Sequence, residues 1–347
     1  MFHKFAHAAG IAATVLMMSG PACAQTSKPL VRILATGGTI AGTAASSTNT
    51  NTYKSATLGV QALIDAVPQL SDVATVSSEQ FANLSSNDVT APLLLRLAKS
   101  VNAQLEEPEV SGIVITHGTD VLEETAFFLD LTVRSSKPVV LVGSMRPATA
   151  LSADGAMNLM QAVTLAASSG ARDRGTMIVM NDRIGSAFYT TKTNSTAMDT
   201  FRAVEQGYLG VFTGVTPHFY YLPARPTNKP TFDTSRMESL PKVSIIYMHE
   251  DQDTQQIDEA IRGGAKGIVI AGTGDGAAPG VVKARCLELT KQGFPVVFSS
   301  RIGSGVVTPK PHGIGAGVYN PQKARILLML ALAQGADLET IRRYFAG

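Results

Sequence analysis

Tryptophan is absent from the 347 residues, and cysteine occurs only at Cys23 and Cys286. Acidic and basic residues are scarce, at 16% of the chain against about 25% in typical soluble domains. Each shortage excludes something. With 29 basic and 27 acidic residues and no block of one sign, the chain lacks the electrostatic footprint of a nucleic-acid binder. No apolar run reaches the roughly 20 residues needed to cross a bilayer, which disfavours a membrane anchor. The longest such run, Ala8 to Met18, follows Lys4 and precedes Ala22-Cys23-Ala24, the pattern of a cleavable secretory leader over residues 1–24. The expectation is an exported, periplasmic protein. Cys23 leaves with the leader, so Cys286 has no intrachain partner in an oxidising compartment. The four histidines after the leader, His117, His218, His249 and His312, lack metal-ligand spacing, so no metal is expected. The 45% of hydrophobic residues point instead to a large core and to buried surface between subunits.

What is present is an alternation of short β-rich apolar runs and segments of helical period, which predicts an α/β protein with a largely parallel sheet. Strands are expected at 31–34, 112–116, 139–142, 177–180, 243–247, 267–270 and 296–299. Helices are expected at 60–66, 89–105, 122–132, 156–167, 255–262, 281–291, 320–334 and 338–345. Five prolines between Thr213 and Lys242 break the pattern. The expected organisation is therefore an N-terminal domain over 25–212, a linker over 213–242 and a C-terminal domain over 243–347. Residues 41–53, almost wholly Ala, Gly, Ser, Thr and Asn, cannot bury enough apolar surface to hold a shape alone.

Two strand ends carry chemistry. The first runs into Ala35-Thr36-Gly37-Gly38-Thr39-Ile40-Ala41-Gly42, the second into Thr116-His117-Gly118-Thr119-Asp120. In open α/β sheets ligands bind beyond the carboxyl ends of strands, and glycines there let backbone N–H groups come close to them. Neither segment has a phosphate-loop or dinucleotide pattern. A threonine hydroxyl is a weak nucleophile near neutral pH and needs a base or polarising neighbour. Asp120, Lys192 and a tyrosine are the candidates. Asp120 has a purely structural alternative, capping the helix that follows it.

These two segments resemble the signature segments of the bacterial L-asparaginase family, in its exported type II and glutaminase-asparaginase branch. Further matching stretches are Ala66 to Leu70, Glu123 to Ala126, Met145 to Pro147, Ser152 to Gly155, Thr191 to Asn194 and Asn320 to Arg325. The resemblance implies a larger N-terminal α/β domain with a mainly parallel, flavodoxin-like sheet and a smaller C-terminal α/β domain, assembled as a homotetramer. It implies hydrolysis of L-asparagine to L-aspartate and ammonia, with some action on L-glutamine and no cofactor. By position, Thr39 matches the nucleophile and Tyr53 the tyrosine that contacts it. Thr119, Asp120 and Lys192 match the second hydroxyl, carboxylate and ammonium; which threonine attacks first is left open. Ser86 and Asn87 match the grip on the substrate's α-carboxylate and α-amino group. Asp275 falls where relatives present Asn or Ser from a neighbouring subunit. Backbone N–H groups of Thr39 and Thr119 are the expected oxyanion donors.

The chain departs from that pattern in three respects: Asn87 is shorter than the Gln or Glu many relatives carry there, Asp275 would add negative charge near the substrate ammonium, and the tyrosine lacks its usual acidic partner. Many relatives pair the tyrosine with a glutamate lying before the Asn-Pro segment, yet no Asp or Glu occurs between Ser300 and Asn320. Rival readings are a broad glutaminase-asparaginase, an exported amino-acid binding protein without turnover, and an amidotransferase subunit, which the leader and the neutral charge disfavour.

Overall fold

The computed structural model describes Met1 and residues 27–346; the leader expected over 1–24 lies outside the described residues apart from Met1. Its strands are β1 (Leu30–Gly37), β2 (Thr75–Leu84), β3 (Val110–Thr116), β4 (Val139–Val142), β5 (Thr176–Met180), β6 (Arg183–Ser186), β7 (Thr191–Lys192), β8 (Phe201–Arg202), β9 (Gly210–Thr213), β10 (Thr216–Phe219), β11 (Val243–Tyr247), β12 (Gly267–Gly272), β13 (Val296–Ser300) and β14 (Ile314–Gly315). The helices are α1 (Val60–Asp65), α2 (Leu70–Val73), α3 (Ala91–Glu106), α4 (Leu122–Thr132), α5 (Gly155–Ala167), α6 (Gln255–Arg262), α7 (Gly280–Lys291), α8 (Pro321–Ala333) and α9 (Leu338–Phe345).

The N-terminal sheet has the order β10-β9-β6-β5-β4-β3-β1-β2, parallel from β2 through β5 and antiparallel beyond. Its central strands read as unbroken apolar runs because both faces are covered. Side chains alternate across a strand. Ile113, Ile115, Leu141 and Ile178 face the core shared with α3 and α4, whereas Val114, Val140, Val142 and Val179 face the core shared with α5. The smaller sheet, β11-β12-β13-β14, is wholly parallel, with Ile268, Ile270 and Phe298 on the side covered by α6 and α7.

Helix α8 is apolar almost all round, burying Ala324, Ile326, Leu327, Leu328, Met329, Leu330 and Ala331, as a helix enclosed between layers must. It contacts β11, β12 and β13 of the smaller sheet as well as α4 of the larger domain, so one hydrophobic core runs through both. The stretch expected as a linker opens differently. Residues 216–219 form β10, which pairs with β9, and Pro217 is tolerated there because β10 is the outermost strand. Residues 220–242 carry no helix or strand.

Candidate active site

Gly37 and Gly38 end β1 with φ of 101° and 82°, a turn that delivers Thr39 to the start of a 3-10 turn. A Cβ on Gly38 would collide with the Gly118 backbone, so this position must be glycine for the two strand ends to touch. The Gly38 N–H donates to Leu84 O at 3.0 Å, which ties the end of β2 to the same place. Just beyond β2, a second 3-10 turn (Ser86–Asp88) buries Ser86, whose side chain packs against Gly118. Three neighbouring parallel strands, β2, β1 and β3, thus end together.

The Thr39 hydroxyl lies 2.8 Å from the Tyr53 hydroxyl. Tyr53 closes the loop over 41–53, and that loop takes its fixed course from outside itself. Leu151 N donates to Ser47 O, Ala148 N to Gly42 O and Ala44 N to Thr149 Oγ1, each at 2.9 Å. On the other strand end, the Lys192 ammonium donates to Thr119 Oγ1 at 3.1 Å and to Asp120 Oδ1 at 2.8 Å. The Lys192 contact holds the Asp120 carboxyl below the ordinary carboxylate range, with burial opposing it. Asn87 Nδ2 donates to Asp120 Oδ2 at 3.2 Å, so Asn87 is tied to this carboxylate. Asp120 does not cap α4. The cap position is Val121, without a side-chain cap, and both Asp120 oxygens face the site network instead.

Between the two clusters is an open cavity of about 260 Å³ lined by Gly38, Thr39, Asn51, Tyr53, Ser55, Ser85, Ser86, Gly118 and Asp120. Asn51, Ser55 and Ser85 were not singled out by sequence reasoning; their adjacency to Tyr53 and Ser86 was the available signal. Thr119 is buried behind Asp120 and does not line the cavity. His117 is buried with both ring nitrogens bonded, Nδ1 donating to Gly118 O at 2.7 Å and Nε2 3.0 Å from Thr125 Oγ1; burial pushes its pKa down to about 4. It shapes the turn as a neutral ring. Cys286 is buried on α7, its thiol pushed up to about 12. Among the described residues, no group of three or more His, Cys, Asp or Glu is placed to hold a metal ion.

Asp275 stands apart from this cavity within one chain. Its Oδ1 accepts from Thr308 N at 2.8 Å, and its Oδ2 from Thr308 Oγ1 at 2.6 Å and Lys310 Nζ at 3.0 Å. Glu123, which the sequence marks only as part of a stretch shared with the family, is buried and accepts from the backbone N–H of Lys192 and from the side chains of Asn320 and Gln322.

The structure therefore brings threonine hydroxyls to adjoining parallel strand ends, with a tyrosine against one and a carboxylate and an ammonium against the other. Comparison with known proteins gives the family. The family model described as "Asparaginase, N-terminal" matches residues 30–225, and that described as "Glutaminase/Asparaginase C-terminal domain" matches residues 242–345. L-asparaginase 2 of Bacillus subtilis is 46% identical over 96% of this chain and 90% of its own. L-asparaginase 2 of Escherichia coli is 42% identical over 99% of both. The crystal structure of a probable cytoplasmic L-asparaginase from Campylobacter jejuni superposes with a TM-score of 0.87 at 43% identity, covering 92% of this chain and 99% of that one. The chain belongs to the asparaginase family.

Proposed function

We propose that the protein hydrolyses L-asparagine to L-aspartate and ammonia through a threonine ester, with Thr39 as nucleophile. The observation that carries this is the 2.8 Å contact between the Thr39 and Tyr53 hydroxyls in the wall of the cavity. As the Thr39 oxygen attacks the side-chain amide carbon its proton passes to the Tyr53 oxygen, and the Thr39 and Thr119 N–H groups stand as oxyanion donors. Tyr53 gives its own hydroxyl proton to the amide nitrogen, the carbon–nitrogen bond breaks, and ammonia leaves with the acyl group held as the Thr39 ester. Water then opens the ester, with the Lys192–Thr119–Asp120 cluster moving the protons. Ser86 and Asp120 take the substrate's α-carboxylate and α-ammonium. L-Glutamine is longer by one methylene, worth only about 1–3 kcal/mol of discrimination, so glutaminase action accompanies the main reaction.

The resemblance supports a homotetramer in which Asp275 reaches the substrate ammonium from a second copy, and a division into domains on either side of 220–242. Export rests on the leader pattern; family membership does not decide it, since the Campylobacter relative is titled cytoplasmic. One preparation from the native gene tests these together. The exported fraction is expected to begin at Gln25, to scatter light as a tetramer, and to release ammonia from asparagine with higher kcat/KM than from glutamine. In Thr39→Ala, kcat falls by about 10³-fold or more while asparagine still binds. An unchanged rate in that variant removes Thr39 as nucleophile, and asparagine binding without ammonia in the unaltered protein makes it a binding protein.

A further inference from the structure

Every residue lining the cavity comes from the first 120 of the chain, yet the lysine behind Asp120 arrives on β7, far later in sequence. Strand β7 has only two residues and pairs only with the equally short β8, so its own ladder holds it weakly. Besides Glu123 of α4, which accepts the Lys192 N–H, the C-terminal domain holds it in position. Lys323, in the first turn of α8, is 3% exposed, and its ammonium donates to the carbonyls of Ala187 at 3.1 Å, Phe188 at 2.8 Å and Thr190 at 2.8 Å. An ammonium has three N–H donors, and here each finds a carbonyl in the four residues that run into Thr191 and Lys192.

The same helical turn makes the other contacts. Asn320 caps α8 by accepting from Lys323 N at 3.0 Å, and its side-chain amide donates to Thr191 Oγ1 at 3.3 Å. Asn320 and Gln322 also donate to Glu123, whose other oxygen accepts the backbone N–H of Lys192. Among the described residues no carboxylate lies within ion-pair distance of Lys323, although the charges of Glu123 and Asp130 partly offset the burial that lowers its pKa to about 8. Burying an ammonium this way is unfavourable unless its donors are satisfied. A purely apolar packing role would be met better by Leu or Met.

We propose that Lys323 is a positioning residue for catalysis: it gathers the backbone of 187–190 from the C-terminal domain and so sets where the Lys192 ammonium meets Thr119 and Asp120. The inference rests on the catalytic reading of Lys192. It gives the C-terminal domain a part in the chemistry of its own chain, separate from anything a second copy contributes.

The test is steady-state kinetics on Lys323→Met beside Lys192→Met and a destabilised control, Phe298→Leu, in the core of the smaller sheet away from the site. All are assayed well below their unfolding midpoints. Lys323→Met is expected to lose about 10- to 100-fold in kcat with KM changed less than about twofold, because a displaced Lys192 affects the reacting state and not the cavity. Phe298→Leu lowers the midpoint but keeps kcat. If Lys323→Met does not fold, Lys323→Gln, whose amide N–H groups can satisfy only part of the three carbonyls, is expected to show the same kcat-only loss at smaller size. A folded Lys323→Met, or failing that Lys323→Gln, with kcat within about twofold of the parent overturns the proposal, provided Lys192→Met is impaired. If Lys192→Met itself keeps full rate, the catalytic reading falls first.

Discussion

Two strand ends in this chain carry nearly the same residues, and only one of them faces a second hydroxyl pair across a cavity of the same chain. Strand β3 ends in Gly118-Thr119-Asp120, and β12 ends in Gly272-Thr273-Gly274-Asp275. Each aspartate sits in a threonine–carboxylate–lysine network. In the first, Lys192 lies 3.1 Å from Thr119 and 2.8 Å from Asp120; in the second, Lys310 lies 3.1 Å from Thr308 and 3.0 Å from Asp275. Pairwise geometry therefore does not distinguish them. What differs is what stands opposite. Thr119 is buried, its strand end touches that of β1, and Thr39 with Tyr53 faces Asp120 across the cavity. Asp275 is exposed just as Asp120 is, but Thr308 is exposed where Thr119 is buried, and among the described residues neither Thr308 nor Asp275 lines that cavity. A cluster of chemically suitable groups gains the makings of a site when a neighbouring strand end sets a second hydroxyl pair opposite it.

The widest separation between the two networks is expected in turnover. Lys192→Met should reduce kcat by about 100-fold or more, the range for losing a proton-transfer group. Lys310→Met removes a surface ion pair and should change kcat less than about twofold. A comparable loss in both would show that the second network also serves the reaction, from another copy of the chain. A smaller separation is expected in stability. Gly38→Ala places a Cβ into the Gly118 backbone at a φ of 82° and should cost about 4 kcal/mol in chemical denaturation. Gly274, at φ 49° with open space around the missing Cβ, should cost about 1 kcal/mol when made alanine. Equal costs would mean that the strand ends of β1 and β3 separate without penalty.

The sequence made the centre of the fold legible and left its margins obscure, for physical reasons. Strands β3, β4 and β5 are covered on both faces, so their apolar runs are continuous and their limits easily read. Strand β2, by contrast, is a polar and half-exposed edge strand, TVSSEQFANL, with no clean alternation. It was not anticipated, although it delivers Ser85 and Ser86 to the cavity. The glycine-threonine turns were visible because their backbone demands are written in residue type. The contacts that place Lys192 were not, since they join Lys323 to carbonyls more than 130 positions away, and a carbonyl leaves no mark in the sequence. The course of the 41–53 loop was partly illegible for the same reason: its partners at 148–151 bind largely through backbone.

The smallest contrast between the two networks is in proton binding. Both carboxyls titrate below the ordinary range, Asp275 falling to about 2, but for different leading reasons. Lys192 is the first cause for Asp120, whereas the Thr308 hydroxyl and N–H come before Lys310 for Asp275. Lys192→Met should therefore let Asp120 rise toward the usual carboxylate value, while Lys310→Met leaves Asp275 well below it; carboxyl-carbon NMR titrations read each one. The sign for stability follows. With the folded value below the unfolded one, the folded chain holds fewer protons between about pH 4 and 2. The Asp275 network is then fully stabilising above about pH 4, and that contribution is lost as pH falls through about 2. If Lys310→Met returns Asp275 to the ordinary value, the ammonium and not the threonine organises the second network, and the two strand ends are more alike than their surroundings suggest.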